Sequence, residues 1–138
     1  MAEALARTAI AKRGWTHVAV RSAGIAAATG HGASELAVAV SGERALDLSA
    51  HTSQRITPEL VEWADLILAM GPSHLHAVTE LGGGEKAHLI TSFIAGDGAG
   101  AAVADPFGGD QISYREALDQ IERAVLALLD RLEPILSP

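Results

Sequence analysis

The segment Asp105-Pro106-Phe107-Gly108-Gly109 offers the most direct acid–base chemistry in the chain. An aspartic acid on a glycine-bearing loop can donate a proton to a leaving group. The same residues also spell an ordinary turn, in which Asp opens, Pro presets φ and Gly takes a positive φ. Spacing alone leaves both readings open. Ser22-Ala23-Gly24 pairs a short donor and acceptor with a glycine that lets backbone approach closely, yet it too reads as a plain turn. His51, within Leu48-Ser49-Ala50-His51-Thr52, is a polar group near an expected ligand face, or simply a satisfied histidine. His74 and His76 stand two apart on an expected helix, so they point to different faces. No HExxH pattern occurs, and no ligand set for a metal can be assembled. Gly24, Gly30 and Gly32 match neither GxGxxG nor a Walker A loop, so no nucleotide site is assigned. Cysteine is absent. That excludes a disulfide scaffold, a thiolate metal site and any thiolate chemistry within this chain.

The elements that must position these residues alternate between helix and strand. Ala2 to Arg13 reads as an alanine-rich helix that stops at Gly14. His17-Val18-Ala19-Val20-Arg21 reads as a short strand, and a long loop follows through Gly32. Ser34 caps a helix expected to reach about Leu46. Thr57-Pro58-Glu59 starts another: a capping oxygen, proline in the first turn, then an acid at the positive dipole end. Leu66 to Met70 is a continuous apolar run, as in a strand buried on both faces. Gly71-Pro72-Ser73 turns into a helix that ends at Gly82-Gly83-Gly84, and Ala87 to Ile90 is a third short strand. Gly96 to Ala104 reads as a flexible loop. Tyr114, Leu118, Ile121, Val125, Leu128 and Leu132 form one helical stripe. This alternation predicts an α/β layered domain with a parallel sheet. Ligands on such sheets bind beyond the carboxyl ends of the strands, so function is expected after Val20, Met70 and Ile90.

The chain has 138 residues, enough for one domain. Its 27 alanines fill space while removing little apolar area from water, so the core rests on Leu, Ile and Val. Net charge is -7, which argues against a nucleic-acid groove or an anionic membrane surface as partner. No run of about 18 apolar residues or signal-peptide pattern occurs, and a cytoplasmic protein is expected.

Five segments combine in a particular order: Met1-Ala2-Glu3-Ala4-Leu5-Ala6, Val20-Arg21-Ser22-Ala23-Gly24, Leu46-Asp47-Leu48-Ser49-Ala50-His51, Ala64 to Met70, and Asp105 to Gly109. In that order they resemble the low-molecular-weight protein-tyrosine phosphatases, above all the bacterial branch that includes protein-arginine phosphatases. The resemblance spans essentially the whole chain. It implies a three-layer, flavodoxin-like parallel sheet flanked by helices. It implies hydrolysis of phosphotyrosine or phosphoarginine through a cysteinyl-phosphate intermediate, with no cofactor and no metal. Asp105 matches the general acid and Phe107 an aromatic at the pocket mouth. Ser22 and His51 match residues that brace the phosphate-binding loop. Family members carry a short central strand and a Cys-x5-Arg-Ser/Thr-Pro loop directly before Met-Ala-Glu-Ala, and this chain starts after that proline. The expectation is therefore a single, N-terminally shortened domain without its first central strand and without its nucleophile. It is expected to be inactive as it stands; the alternative is a non-catalytic binding or regulatory relative. The flanking strands would then either close on each other or recruit a second chain, and self-association through unpaired sheet edges is expected. Phosphorylated proteins or aryl phosphates would be partners of an active, longer form.

Overall fold

The computed structural model of the chain describes residues 1–25, 30, 32–46, 48, 53–94, 102, 103 and 109–136. Helix α1 spans Ala2–Lys12, α2 Glu35–Gly42 and α3 Pro58–Trp63. Strand β1, Ile67–Ala69, is followed by α4, Pro72–Glu80, then β2, Ala87–Leu89, and finally α5, Gln111–Leu136.

Local chemistry sets most of the boundaries. The Ser34 hydroxyl accepts from the Ala37 N–H at 3.3 Å, and Thr57 Oγ1 accepts from the Leu60 N–H at 3.1 Å. Each satisfies an amide that the helix itself leaves free. Gly14, at φ +72, ends α1 as expected. After α4, Gly82 takes φ +91 and the Gly83 N–H bonds back to the Val78 carbonyl at 2.9 Å. Gly83 answers to packing: a Cβ there would lie 2.7 Å from a Val78 methyl and 2.9 Å from a Val61 methyl. Helix α2 is shorter than the sequence suggests. It stops at Gly42, Ala45 turns the chain at φ 61, and the Leu46 N–H bonds to the Ser41 carbonyl at 2.9 Å. The turn lets Leu46 and Leu48 enter the core, where they are buried. That burial offsets the strain of a left-handed alanine.

Strands β1 and β2 pair in parallel, with Ile67 opposite Ala87, Leu68 opposite His88 and Ala69 opposite Leu89. The chain therefore has the expected parallel sheet flanked by helices. The first expected strand, His17 to Arg21, differs. Residues 17–21 form no ladder, although Val18 and Val20 are half-buried and Ala19 and Arg21 exposed. A ladder needs a neighbour, and among the described residues none runs alongside. The segment is anchored further on, where Gly24 makes an isolated parallel bridge with Arg55.

Helix α5 binds the layers together. Tyr114, Leu118, Ile121, Val125 and Leu128 of the expected stripe are buried, and Leu132 is half-buried. Helices α1 and α2 and the turn Ile90–Phe93 all pack on α5. At its start, Asp110 Oδ1 accepts from both the N–H and the hydroxyl of Ser113, each at 2.9 Å. These bonds hold the Asp110 carboxyl below its ordinary value. Among the described residues, one buried side-chain group is left over: the Ser41 hydroxyl, fully buried, has no hydrogen-bond partner.

Three stability measurements test this account. Leu118→Ala should cost about 2–5 kcal/mol in urea unfolding, because its site is fully enclosed. Ser41→Ala should be neutral or stabilising by about 1 kcal/mol, since it removes an unpaired buried hydroxyl. Asp110→Ala should lower the melting temperature at neutral pH. A depressed carboxylate contributes stability above its unfolded value of 3.8 and loses it as pH falls through the lower folded value. The gap between variant and parent should therefore shrink below that pH.

Candidate active site

The site is built around the N-terminus of α1 and the end of the extended segment 17–25. Glu3 sits in the first turn of α1, where a negative charge faces the positive end of the helix dipole. Its Oε1 accepts from the Ser22 N–H at 2.9 Å and from the Ser22 hydroxyl at 3.3 Å. The Ser22 carbonyl accepts from Gln54 Nε2 at 2.9 Å. One residue is thus held by α1 on one side and by the 53–56 segment on the other. Arg7, one turn along α1, donates to the Val20 carbonyl at 3.0 Å and lies 3.8 Å from Glu3 Oε1. The Glu3 carboxylate is only 18% exposed, so these bonds act in a medium of reduced screening. Burial pushes the Met1 amine beside it below its ordinary value, against the opposing pull of Glu3.

The loop carrying the expected acid is anchored at both ends. The Val103 N–H donates to the Met70 carbonyl at 2.7 Å, which ties the chain two residues before Asp105 to the carboxyl end of β1. Val103 is itself buried. Beyond the loop, Asp110 fixes the start of α5. The chain therefore returns to the edge of the sheet where ligands of such folds bind. Asp105, Phe107 and His51 lie outside the described residues, as do parts of the 24–32 and 96–104 loops.

Of the four site residues expected from the sequence, the structure describes Ser22, and it joins Ser22 to Glu3 and Gln54. Those two were missed. The signal for Glu3 was its position, an acid in the first turn of a helix within Met1-Ala2-Glu3-Ala4. Gln54 carried no signal, because its partner is a main-chain carbonyl 32 residues away in sequence. Among the described residues no three His, Asp or Glu converge on a possible metal position, and no helix is long and apolar enough to cross a membrane. A groove of about 410 Å³ lies at the other end of α1, lined by Lys12, Arg13, Arg44 and Leu126 among others, away from Ser22.

Chemically, the arrangement supplies a braced extended segment and a helix N-terminus, with Val103 tied to the carboxyl end of β1. It supplies no thiol, since the chain has no cysteine.

Comparison with known proteins extends the reading. Residues 1–135 match the family described as low molecular weight phosphotyrosine protein phosphatase. The chain is 35% identical over 133 residues to a protein-arginine-phosphatase of Bacillus subtilis, covering 96% of this chain and 87% of that protein. It is 27% identical over 114 residues to the low molecular weight protein-tyrosine-phosphatase Ptp of Acinetobacter johnsonii, covering 83% and 78%. Among solved structures, it superposes on a mutant of the YwlE arginine phosphatase with a phosphorylated active-site serine. The TM-score is 0.87 at 34% identity, over 97% of this chain and 87% of that one. The flavodoxin-like α/β layering, the parallel sheet and a match over nearly the whole length converge on one conclusion: the chain belongs to the low molecular weight protein-tyrosine phosphatase family.

Proposed function

We propose that this chain is the scaffold of a phosphoprotein phosphatase, acting on phosphotyrosine or phosphoarginine, that carries the acid and the bracing residues but no covalent nucleophile. The observation behind the proposal is the pairing of Ser22 with Glu3 at the start of α1. A helix N-terminus with its free amides is a natural seat for a phosphoryl group. Here the strand end that would brace such a seat is tied to that same helix turn.

The chemistry follows from the residue types. In covalent phosphoryl transfer a nucleophile attacks phosphorus, and the leaving oxygen or nitrogen departs as a strong base unless it is protonated. Asp105 is the residue for that proton: it would deliver it to the leaving atom, then accept one from the water that cleaves the phosphoryl-enzyme. Ser22 and His51 would hold the shape of the phosphate-binding backbone from behind, and Phe107 would line the pocket entrance. The relative with a phosphorylated active-site serine carries its phosphoryl group on a protein side chain, which supports a covalent route in this family. For this chain the step lacks its attacking group. With zero cysteines no thiolate can form, and an acid that contributes about 10²–10⁴-fold has no intermediate to serve.

The absence of cysteine also favours a second reading, a non-catalytic relative that binds phosphorylated proteins without turning them over. The two separate on the role of the acid. A catalytic scaffold needs Asp105 as a proton donor, whereas a binding module gains nothing from a carboxylate facing a phosphate dianion, since like charges repel.

Two assays test the proposal. The 138-residue chain incubated with p-nitrophenyl phosphate should release no nitrophenolate above background; turnover comparable to that of a competent phosphatase would sink the proposal. A form extended at its N-terminus with an apolar strand and a Cys-x5-Arg-Ser/Thr-Pro loop should hydrolyse the same substrate. In that form Asp105→Asn should lower kcat by about 10²–10⁴-fold, which checks the role of the acid. An extended form that folds yet stays inactive would favour the binding module.

A further inference from the structure

We propose that the groove between the end of α1 and the middle of α5 binds a small carboxylate with an apolar body. The groove forms because a small residue stands where two helix faces meet. Leu5, Ala9 and Lys12 share one face of α1, at steps of four and three. Glu122, Val125 and Leu126 share one face of α5, and all six line the groove. Leu5, Val125 and the neighbouring Leu46 are buried, while Leu126 is 43% exposed. Ala9 is too short to close the seam between these larger side chains. A space of about 410 Å³ remains. Sites for small organic ligands run from about 300 to 1,000 Å³, and they are mostly apolar with a few placed polar groups.

The charges on the lining are unequal. Lys12, Arg13 and Arg44 stand against the single carboxylate of Glu122, which lies 3.4 Å from Arg44. Arg13 and Arg44 have further partners in Asp130 and Asp119, but neither of those acids lines the groove. Asp130 and Asp119 are 71% and 61% exposed, whereas Arg13 and Arg44 are 21% and 28% exposed. The acids thus stand in water, where their field is screened, and the cations face a more enclosed space. Among the described residues Lys12 makes no ion pair. The groove is therefore a place of local positive excess on a chain of net charge -7. Screening limits each charge to about 8–10 Å, so these near neighbours decide what enters.

Each half of the ligand answers one half of the lining. The carboxylate accepts from the Lys12 ammonium and from guanidinium N–H groups that a single acid leaves unused. Hydrogen bonds of this charged kind are about twice as strong as neutral ones. The apolar body covers Leu126 and the lining beside it, removing them from water. A cation would meet three like charges, and a polyanion would meet Glu122.

The test titrates octanoate into the full 138-residue chain, followed by calorimetry and by amide NMR shifts. Octanoate should bind saturably, with the largest shifts at Thr8, Lys12 and Leu126. Octanol and octylammonium carry the same apolar body and should bind at least about tenfold more weakly. Lys12→Glu should weaken octanoate about tenfold; Lys12 is exposed, so the fold should be unaffected. Ala9→Leu fills the seam and should abolish binding. Leucine is a strong helix former, so the melting temperature of that variant should be unchanged or raised. Octylammonium binding as tightly as octanoate would overturn the proposal. So would octanoate binding that survives Lys12→Glu undiminished, shifts confined to the Ser22 end of α1, or no saturable binding at all.

Discussion

The buried stripe of α5 is the constraint on which the rest of the fold depends. An alanine-rich chain with 4% aromatic residues has few large side chains with which to exclude water. Leu118, Ile121, Val125 and their neighbours gather those few on one helix, and α1, α2 and the turn after β2 all pack there. The charged pairs around this seam, among them Arg44 with Asp119 and Arg115 with Glu43, are largely exposed. They align surfaces that the apolar stripe has already brought together, and contribute little by themselves. Because α1 is held against α5, its N-terminus has a fixed position, and a fixed helix N-terminus is what the candidate site is built upon.

The link from that constraint to function is short. Glu3 projects from the first turn of α1 and accepts from both the N–H and the hydroxyl of Ser22, while Arg7 donates to the Val20 carbonyl. Helix α1 and the extended segment are thereby joined.

Much of this was legible in the sequence because the signals are local. Ser34 and Thr57 cap helices through bonds to residues three further on. The steps of 3 and 4 in the last helix reported its buried face directly. Where the outcome depended on distant partners, the sequence was less informative. His17 to Arg21 has the composition and alternation of a strand, yet strand status requires a neighbour that the segment itself cannot specify. Helix α2 stops at Gly42 because Leu46 and Leu48 gain burial, a tertiary effect that outweighs the propensity to continue. Glu3 and Gln54 escaped notice for a related reason: each acts on Ser22 across a gap in sequence that no pattern spans. The missing thiol, by contrast, was plain from composition alone, and its meaning became specific once the family was known.

The central claim is that the phosphatase fold is present here without the group that attacks phosphorus. Covalent trapping addresses it most directly. The chain is mixed with an excess of aryl phosphate, quenched rapidly, and its intact mass measured. The account predicts an unchanged mass at every quench time, since the chain has no cysteine to accept the phosphoryl group. A transient adduct of one phosphoryl group per chain would contradict it, and the residue carrying that group would be the nucleophile the account says is absent.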